Sequence, residues 1–359
     1  MQLVELTSPP RRMLAVVFCL AAALAVSTEQ ALEAATQAKP PKPSSSSSRL
    51  TLSKARATKA RSRRPTRARA RAAANAKAVR EAQVPHFKFD ETGALVPDIR
   101  AEAAIIYDPR TGQVLWEQNS QVERSIASIT KVMTAAVVLE NPDDLDTQIV
   151  IQRSDVYRAS TTYIRAGDRV TKDDLLHLLL IGSDNAAARV LARTSALGPT
   201  GFIRRMNEKA AELGLESTEY VDPAGLYNAN VSSAYDMARL ISFASGNERM
   251  ASIMRTPQYS IDAGRRRITV SSTNQLVKAG DVDVQAGKTG FIRSAGYCLA
   301  TLLRLPQGGP DVAVVVLGAK SNAGRFWETR HLFNWLAGKA EGLLGDTVEA
   351  KTATAPANN

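Results

Sequence analysis

A lysine placed inside an apolar helix constrains this chain more than any other feature. From Ala127 to Leu139 the sequence has no Gly or Pro, and its apolar residues run almost all round a helical cylinder. That pattern predicts a buried helix. Ser128 and Lys131 lie at its start, three residues apart and therefore on one side, a turn from each other. Burying an ammonium group needs a reason. Desolvation lowers a lysine pKa, and a neutral amine can take the proton of a serine hydroxyl. The start of a helix also presents N–H groups with no intrahelical acceptor, where an oxyanion would be stabilised. Chance supplies a serine and a lysine at this spacing in most long chains, usually as a helix-start serine with a surface lysine. The chemical reading therefore depends on partners elsewhere.

Two partners follow in order. Ser183-Asp184-Asn185 comes after the apolar run Leu175–Gly182 and before the Ala-rich run Ala186–Ala192, and Lys288-Thr289-Gly290 sits within Val284–Phe291. The three together are the motif set of penicillin-recognising serine enzymes. In that set Ser128 is the candidate nucleophile and Lys131 its base. Ser183 would relay a proton to the leaving amine, and the Asn185 amide would position the substrate backbone. Lys288 would set positive potential near both serines, Thr289 would offer a hydroxyl to a substrate carboxylate, and Gly290 would let the strand approach the ligand closely. The backbone N–H groups of Ser128 and Phe291 would form the oxyanion hole. Ser-Asp-Asn also suits a helix N-cap, and both roles are compatible. A Ser-His-Asp arrangement finds little support, because His86, His177 and His331 fall in no motif. His177 reads as a packing or surface residue. No metal or other cofactor is expected.

Charge is unevenly spread. Of the net +11, fourteen Lys and Arg without a single acid lie between Ala34 and Arg80, so the remainder carries −3. The basicity belongs to a tail and gives no reason to expect nucleic-acid binding. Arg11 and Arg12 precede Met13–Val26, fourteen uncharged residues. Such a run is shorter than the ~20 residues of a spanning helix and fits a secretory signal over 1–27, with an uncleaved anchor as the alternative. Bulky Phe18 before Cys19 argues against lipoprotein cleavage. Removal of the signal would leave Cys298 as the only thiol, which excludes an internal disulfide. Residues 28–83, rich in Pro, Ser, Ala and Arg, lack the apolar content for a core and are expected to be a disordered linker. That linker would act as a spacer or touch anionic lipid or wall polymer, and Arg61–Arg80 is Ala-rich enough to turn helical on such a surface. The folded domain is expected over 84–345, followed by a disordered tail over 346–359.

Within the domain, Ala103–Asp108 and Gly112–Glu117 flank a turn and read as a β-hairpin. Helices are predicted over Lys172–Leu180, Asn185–Ser195, Phe202–Leu213 and Ser233–Ser245, with a turn at Asp222–Leu226. After Met254, strands are predicted at Arg267–Val270, Val284–Phe291, Gly296–Arg304 and Asp311–Gly318, and an amphipathic closing helix at Gly324–Leu336. Strands at both ends with helices between them imply an α+β fold, a single sheet completed by both ends of the domain with a helical lobe inserted.

With these residues in place, the sequence resembles the low-molecular-mass penicillin-binding proteins, the D-alanyl-D-alanine carboxypeptidase/endopeptidase family, over about Pro85 to Gly338. The likeness rests on Ala127–Thr134, on Asp222–Leu226 with Asn230–Ser232, and on Gly287–Phe291 with Gly296–Leu299. The resemblance implies a five-stranded antiparallel sheet flanked by helices with an inserted all-helical subdomain. It implies an acyl-enzyme mechanism on peptidoglycan stem peptides in the periplasm or another extracytoplasmic space, with β-lactams as covalent inhibitors. It also implies an arginine on the last helix that helps hold the terminal carboxylate; Arg325 looks like its counterpart, with a surface role as the alternative. Few residues follow the closing helix, so the chain looks more like the single-domain endopeptidase branch, and the turn reads Pro223-Ala224-Gly225 where the family more often has Thr in the middle. Two alternatives remain open. A class A-like β-lactamase would need a deacylating glutamate, and Glu219 stands at about the right distance in the wrong sequence context. The other is a non-catalytic penicillin- or wall-binding protein.

Overall fold

A computed structural model describes residues 67–353. The signal-like segment Met13–Val26 with Cys19, the serine run Ser44–Ser48 and residues 354–359 lie outside the described residues. Five strands build the main sheet: β1 (Ala103–Asp108), β2 (Gln113–Gln118), β3 (Asp283–Ile292), β4 (Gly296–Arg304) and β5 (Asp311–Ala319). Their spatial order is β3-β4-β5-β1-β2, with every neighbouring pair antiparallel. The first hairpin thus completes a sheet whose other strands come from the far end of the domain.

The sheet is covered on both faces, and its central strand shows why. Every residue from Val312 to Ala319 in β5 is buried, a continuous apolar run rather than an alternation. Side chains of successive residues separate to the two faces. Ile105, Ala313, Val315 and Leu317 join the core under the inserted lobe. Ala104, Ile106, Val314 and Val316 pack with Phe326, Leu332 and Phe333 of the closing helix.

The lobe between β2 and β3 holds helices α1 (Thr130–Val138), α2 (Lys172–Ile181), α3 (Asn185–Thr194), α4 (Gly198–Glu212), α5 (Ala234–Ser245) and α6 (Glu248–Arg255), and α7 (Asn322–Ala353) closes the domain. Starts of these helices follow capping chemistry. The side chains of Thr171, Asp184 and Ser233 accept backbone N–H bonds at the starts of α2, α3 and α5, each satisfying an N–H that the helix leaves over.

Four differences from the sequence-based expectation are physical. The lobe is not all helical, because Gln148–Val150 pairs with Arg169–Thr171 and Gln258–Asp262 with Arg267–Ser271 in short antiparallel ribbons. Arg67–Gln83, expected inside the linker, is a helix, as its alanine content favours. The closing helix continues to Ala353 rather than ending near Leu336; single glycines cost only ~1 kcal/mol each and do not stop it. Finally, Ser128 is not in an α-helical turn. Ala127–Ile129 forms a 3-10 turn, and the α-helix begins at Thr130. Among the described residues, no helix is long and apolar enough to cross a membrane.

Candidate active site

The three motifs, far apart in sequence, meet at one cleft of about 390 Å³ whose lining includes Ser128, Ser183, Asn185, Thr289, Phe291 and Arg325. Ser128 arrives on a strained turn. Ala127 before it has φ 49°, a conformation that costs a non-glycine residue on the order of 1 kcal/mol or more and sets the hydroxyl at the mouth of the cleft. Gly290 on β3 lies against this turn. A Cβ on Gly290 would stand 2.7 Å from the Ile126 carbonyl oxygen and 3.2 Å from the Ser128 nitrogen, so only glycine allows the strand so close.

Lys131 is buried completely in the first turn of α1. Its Nζ lies 2.8 Å from Ser128 Oγ, 2.7 Å from Asn185 Oδ1 and 2.6 Å from the carbonyl oxygen of Ala224. Burial pulls its pKa down to about 7, against the charges of Asp222 and Asp184, which favour the ammonium. The Ala224 contact bears on the departure in the Pro223-Ala224-Gly225 turn: the backbone carbonyl is what meets the amine, and alanine supplies it. Asp222 holds that turn by accepting N–H bonds from Ala224 (2.7 Å), Gly225 (2.8 Å) and Tyr227 (2.9 Å) and an amide bond from Asn230 (2.6 Å).

Ser183 and Asn185 stand on either side of the α3 cap. Asp184 accepts from the N–H groups of Ala187 and Tyr163 and from the Thr162 hydroxyl, while burial pushes its pKa up. Its neighbours are thereby turned into the cleft, so the cap and the site are one device. Ser183 takes φ 59°, and its Oγ accepts from Lys288 Nζ at 2.8 Å. Asn185 donates through Nδ2 to the Ala159 carbonyl at 2.8 Å, which fixes Oδ1 towards Lys131. Lys288 is buried, and its pKa lies well below that of a free lysine, first through desolvation and then through the positive charges of Lys131 and Arg325.

Thr289 shares a 2.6 Å hydroxyl contact with Thr273. Arg325 is not a surface residue. It is 6% exposed, donates to the carbonyl oxygens of Gly290 (2.9 Å) and Cys298 (3.1 Å), and burial brings its pKa down to about 10. Phe291, half exposed, stacks on Tyr297 with ring centroids 4.2 Å apart. Sequence reasoning missed Thr273, Ser160 and Thr161, which also line the cleft and belong to no recognisable motif. His177 is a packing residue, stacked on Tyr259 at 3.8 Å. A larger cavity, of about 470 Å³ beside Glu140, Asp144 and Lys172, contains none of the motifs; Glu140 is paired with Arg205 and Lys209, and Asp144 with Lys172.

This geometry supplies a nucleophile touching a neutral-prone amine, a second Ser-Lys pair, and a cationic end for an anionic group. Among the described residues, no carboxylate lines the cleft. Glu219 is instead bridged through its backbone to Val231.

The profile of the D-alanyl-D-alanine carboxypeptidase family matches residues 90–321. The chain belongs to that family. A D-alanyl-D-alanine endopeptidase of Pseudomonas aeruginosa is 34% identical to this family member over 246 residues, 67% of this chain and 79% of the relative. The Escherichia coli D-alanyl-D-alanine endopeptidase is 32% identical over 249 residues, 68% of this chain and 80% of the relative. Among solved structures, a Streptomyces DD-transpeptidase superposes with a TM-score of 0.62 at 29% identity, covering 67% of this chain and 97% of the other. A D-alanyl-D-alanine carboxypeptidase from Mycobacterium tuberculosis gives 0.62 at 26%, covering 68% and 93%.

Proposed function

We propose that this family member is a serine DD-peptidase that cuts D-alanyl bonds of peptidoglycan stem peptides through an acyl-enzyme on Ser128. The observation that carries the reading is the 2.8 Å contact between Ser128 Oγ and the fully buried Lys131 Nζ. Ser128 Oγ attacks the D-alanyl carbonyl carbon while its proton passes to neutral Lys131. Negative charge on the carbonyl oxygen is met by the N–H groups of Ser128 and Phe291, each such donor being worth on the order of 100-fold in rate. The tetrahedral intermediate collapses, the C–N bond breaks, and Ser183, in contact with Lys288, gives its proton to the leaving amine and takes over the one Lys131 received, which returns Lys131 to its neutral form. Asn185 positions the peptide, and Thr289 and Arg325 hold a carboxylate at the Lys288 end, where Gly290 brings the strand edge close. Water then attacks the ester, with Lys131 again taking the proton, and frees Ser128.

The bond assigned is the D-alanyl cross-link between stem peptides, in keeping with the endopeptidase relatives that match over about four-fifths of their length; digestion of cross-linked against uncross-linked muropeptides separates this from carboxypeptidase action. The catalytic domain spans 84–345. The enzyme acts outside the cytoplasm after export by the 1–27 signal, and the basic stretch 28–83 touches anionic membrane or wall polymer. Benzylpenicillin supplies the test. Intact mass of the wild-type protein should show one stable penicilloyl adduct that Ser128→Ala abolishes. Penicillin left intact with no adduct would overturn the reading, and penicillin hydrolysed without an adduct would point to a β-lactamase.

A further inference from the structure

We propose that a second cleft beside the catalytic one binds a carboxylate carried by the acyl-donor peptide, two or three residues before the bond that is cut. The proposal rests on the DD-peptidase reading above. This cleft, of about 370 Å³, is lined by Arg124, Phe291, Arg293, Tyr297, Lys320 and Glu102 among others. Phe291 and Arg293 also line the catalytic cleft, so one molecule can occupy both.

Its walls are built for an anion. Three cations face a single carboxylate, and Glu102 is already engaged by Lys320. Arg293 is exposed and makes no ion pair among the described residues. Arg124 Nε is buried with no hydrogen-bond partner among the described residues, and a buried donor left unmatched is costly. The guanidinium is held there by packing. Gly318 leaves room for it, since a Cβ at Gly318 would lie 2.7 Å from Arg124 Nη2. The Arg124 backbone is pinned by strand pairing with Ser232, four residues before the nucleophile. A fixed arginine fork with free donors matches a carboxylate better than a lysine would.

Direction along β3 tells which part of the substrate arrives there. Lys288 in mid-strand meets Ser183, Gly290 abuts the Ser128 turn, and Arg293 follows in the turn just past Ile292, where β3 ends. With Ser183 serving the leaving amine, the leaving group lies at the Lys288 end. The acyl peptide then extends over Phe291 towards Arg293, and a carboxylate a few residues upstream reaches the second cleft. The stacked rings of Phe291 and Tyr297 form the apolar surface it crosses.

The test uses two synthetic cross-linked stem peptides, identical except that the acyl-donor arm carries a carboxylate in one and a carboxamide in the other. Wild-type kcat/KM should favour the carboxylate by about tenfold. In Arg124→Gln the preference should shrink to within about twofold, and Arg124→Lys, which keeps a charge without the fork, should fall between. Equal wild-type rates on the two peptides would overturn the proposal without need of any variant. A preference that survives in both Arg124→Gln and Arg293→Gln would overturn it as well. A wild-type protein that neither takes up benzylpenicillin nor cuts either peptide would remove the DD-peptidase reading itself, whereas an adduct with equal peptide rates removes the second cleft alone.

Discussion

Two Ser-Lys pairs face the same cleft with the same 2.8 Å contact, Ser128 with Lys131 and Ser183 with Lys288. Distance does not distinguish them; surroundings do. Lys131 meets two further acceptors, Asn185 Oδ1 and the Ala224 carbonyl oxygen, and feels the charges of Asp222 and Asp184. These resist desolvation and leave its pKa at about 7, where a base can both lose and regain a proton near neutrality. Among the described residues, Lys288 Nζ meets the Thr289 carbonyl oxygen besides Ser183 and no further acceptor, and both Lys131 and Arg325 push against its charge. The serines differ too. Ser128 follows a left-handed Ala127 and opens a helix, whereas Ser183 is itself left-handed between two helices. One pair is therefore suited to making a nucleophile and the other to passing a proton.

Removing the amine from each pair should give unequal losses. Lys131→Met leaves Ser128 without a base, and its acylation rate by benzylpenicillin should fall by about 10³- to 10⁴-fold; a loss of less than about tenfold would break the distinction. Ser183→Ala should slow peptide cleavage by about 10²-fold while Ser128 still forms the penicilloyl adduct, as seen by intact mass. Loss of the adduct in this variant would make the two serines equivalent after all.

A smaller effect checks that burial moves these pKa values. Glu328 on α7, away from the cleft, has its pKa raised to about 7 by burial, against N–H bonds from Arg100 and Ala101. Between the ordinary carboxyl value of 4.5 and about 7, the unfolded chain has lost this proton and the folded chain keeps it. Stability must then fall as pH rises across that window. Glu328→Gln removes the dependence, so its Tm should exceed that of the wild type by a few degrees near about pH 8, and the gap should close towards pH 4.5. A constant gap across pH would contradict burial as the cause.

The motifs were legible because each is local: Ser128 and Lys131 are one helical turn apart, and Lys288-Thr289-Gly290 is a single strand edge. The centre of the main sheet was legible for the same reason, β5 being a continuous apolar run over Val312–Gly318. What sequence could not show is what tertiary contact decides. Thr273 acts on Thr289 from another segment, the Ala224 contribution is a backbone carbonyl that leaves no trace in residue type, and Arg325 looks like any helix-surface cation until Phe326 and the sheet bury it. Glu248–Arg255 and Gln258–Asp262 escape a sequence reading because both elements are short, eight and five residues.

The central claim is that Lys131 is the neutral base for Ser128. The most direct measurement is the second-order rate of benzylpenicillin acylation of the wild-type protein from about pH 5 to about pH 10. The account predicts a rate that climbs about tenfold per pH unit and levels off above about 7, the Lys131 value. A rate still climbing towards 10.5, where an ordinary lysine titrates, would contradict it.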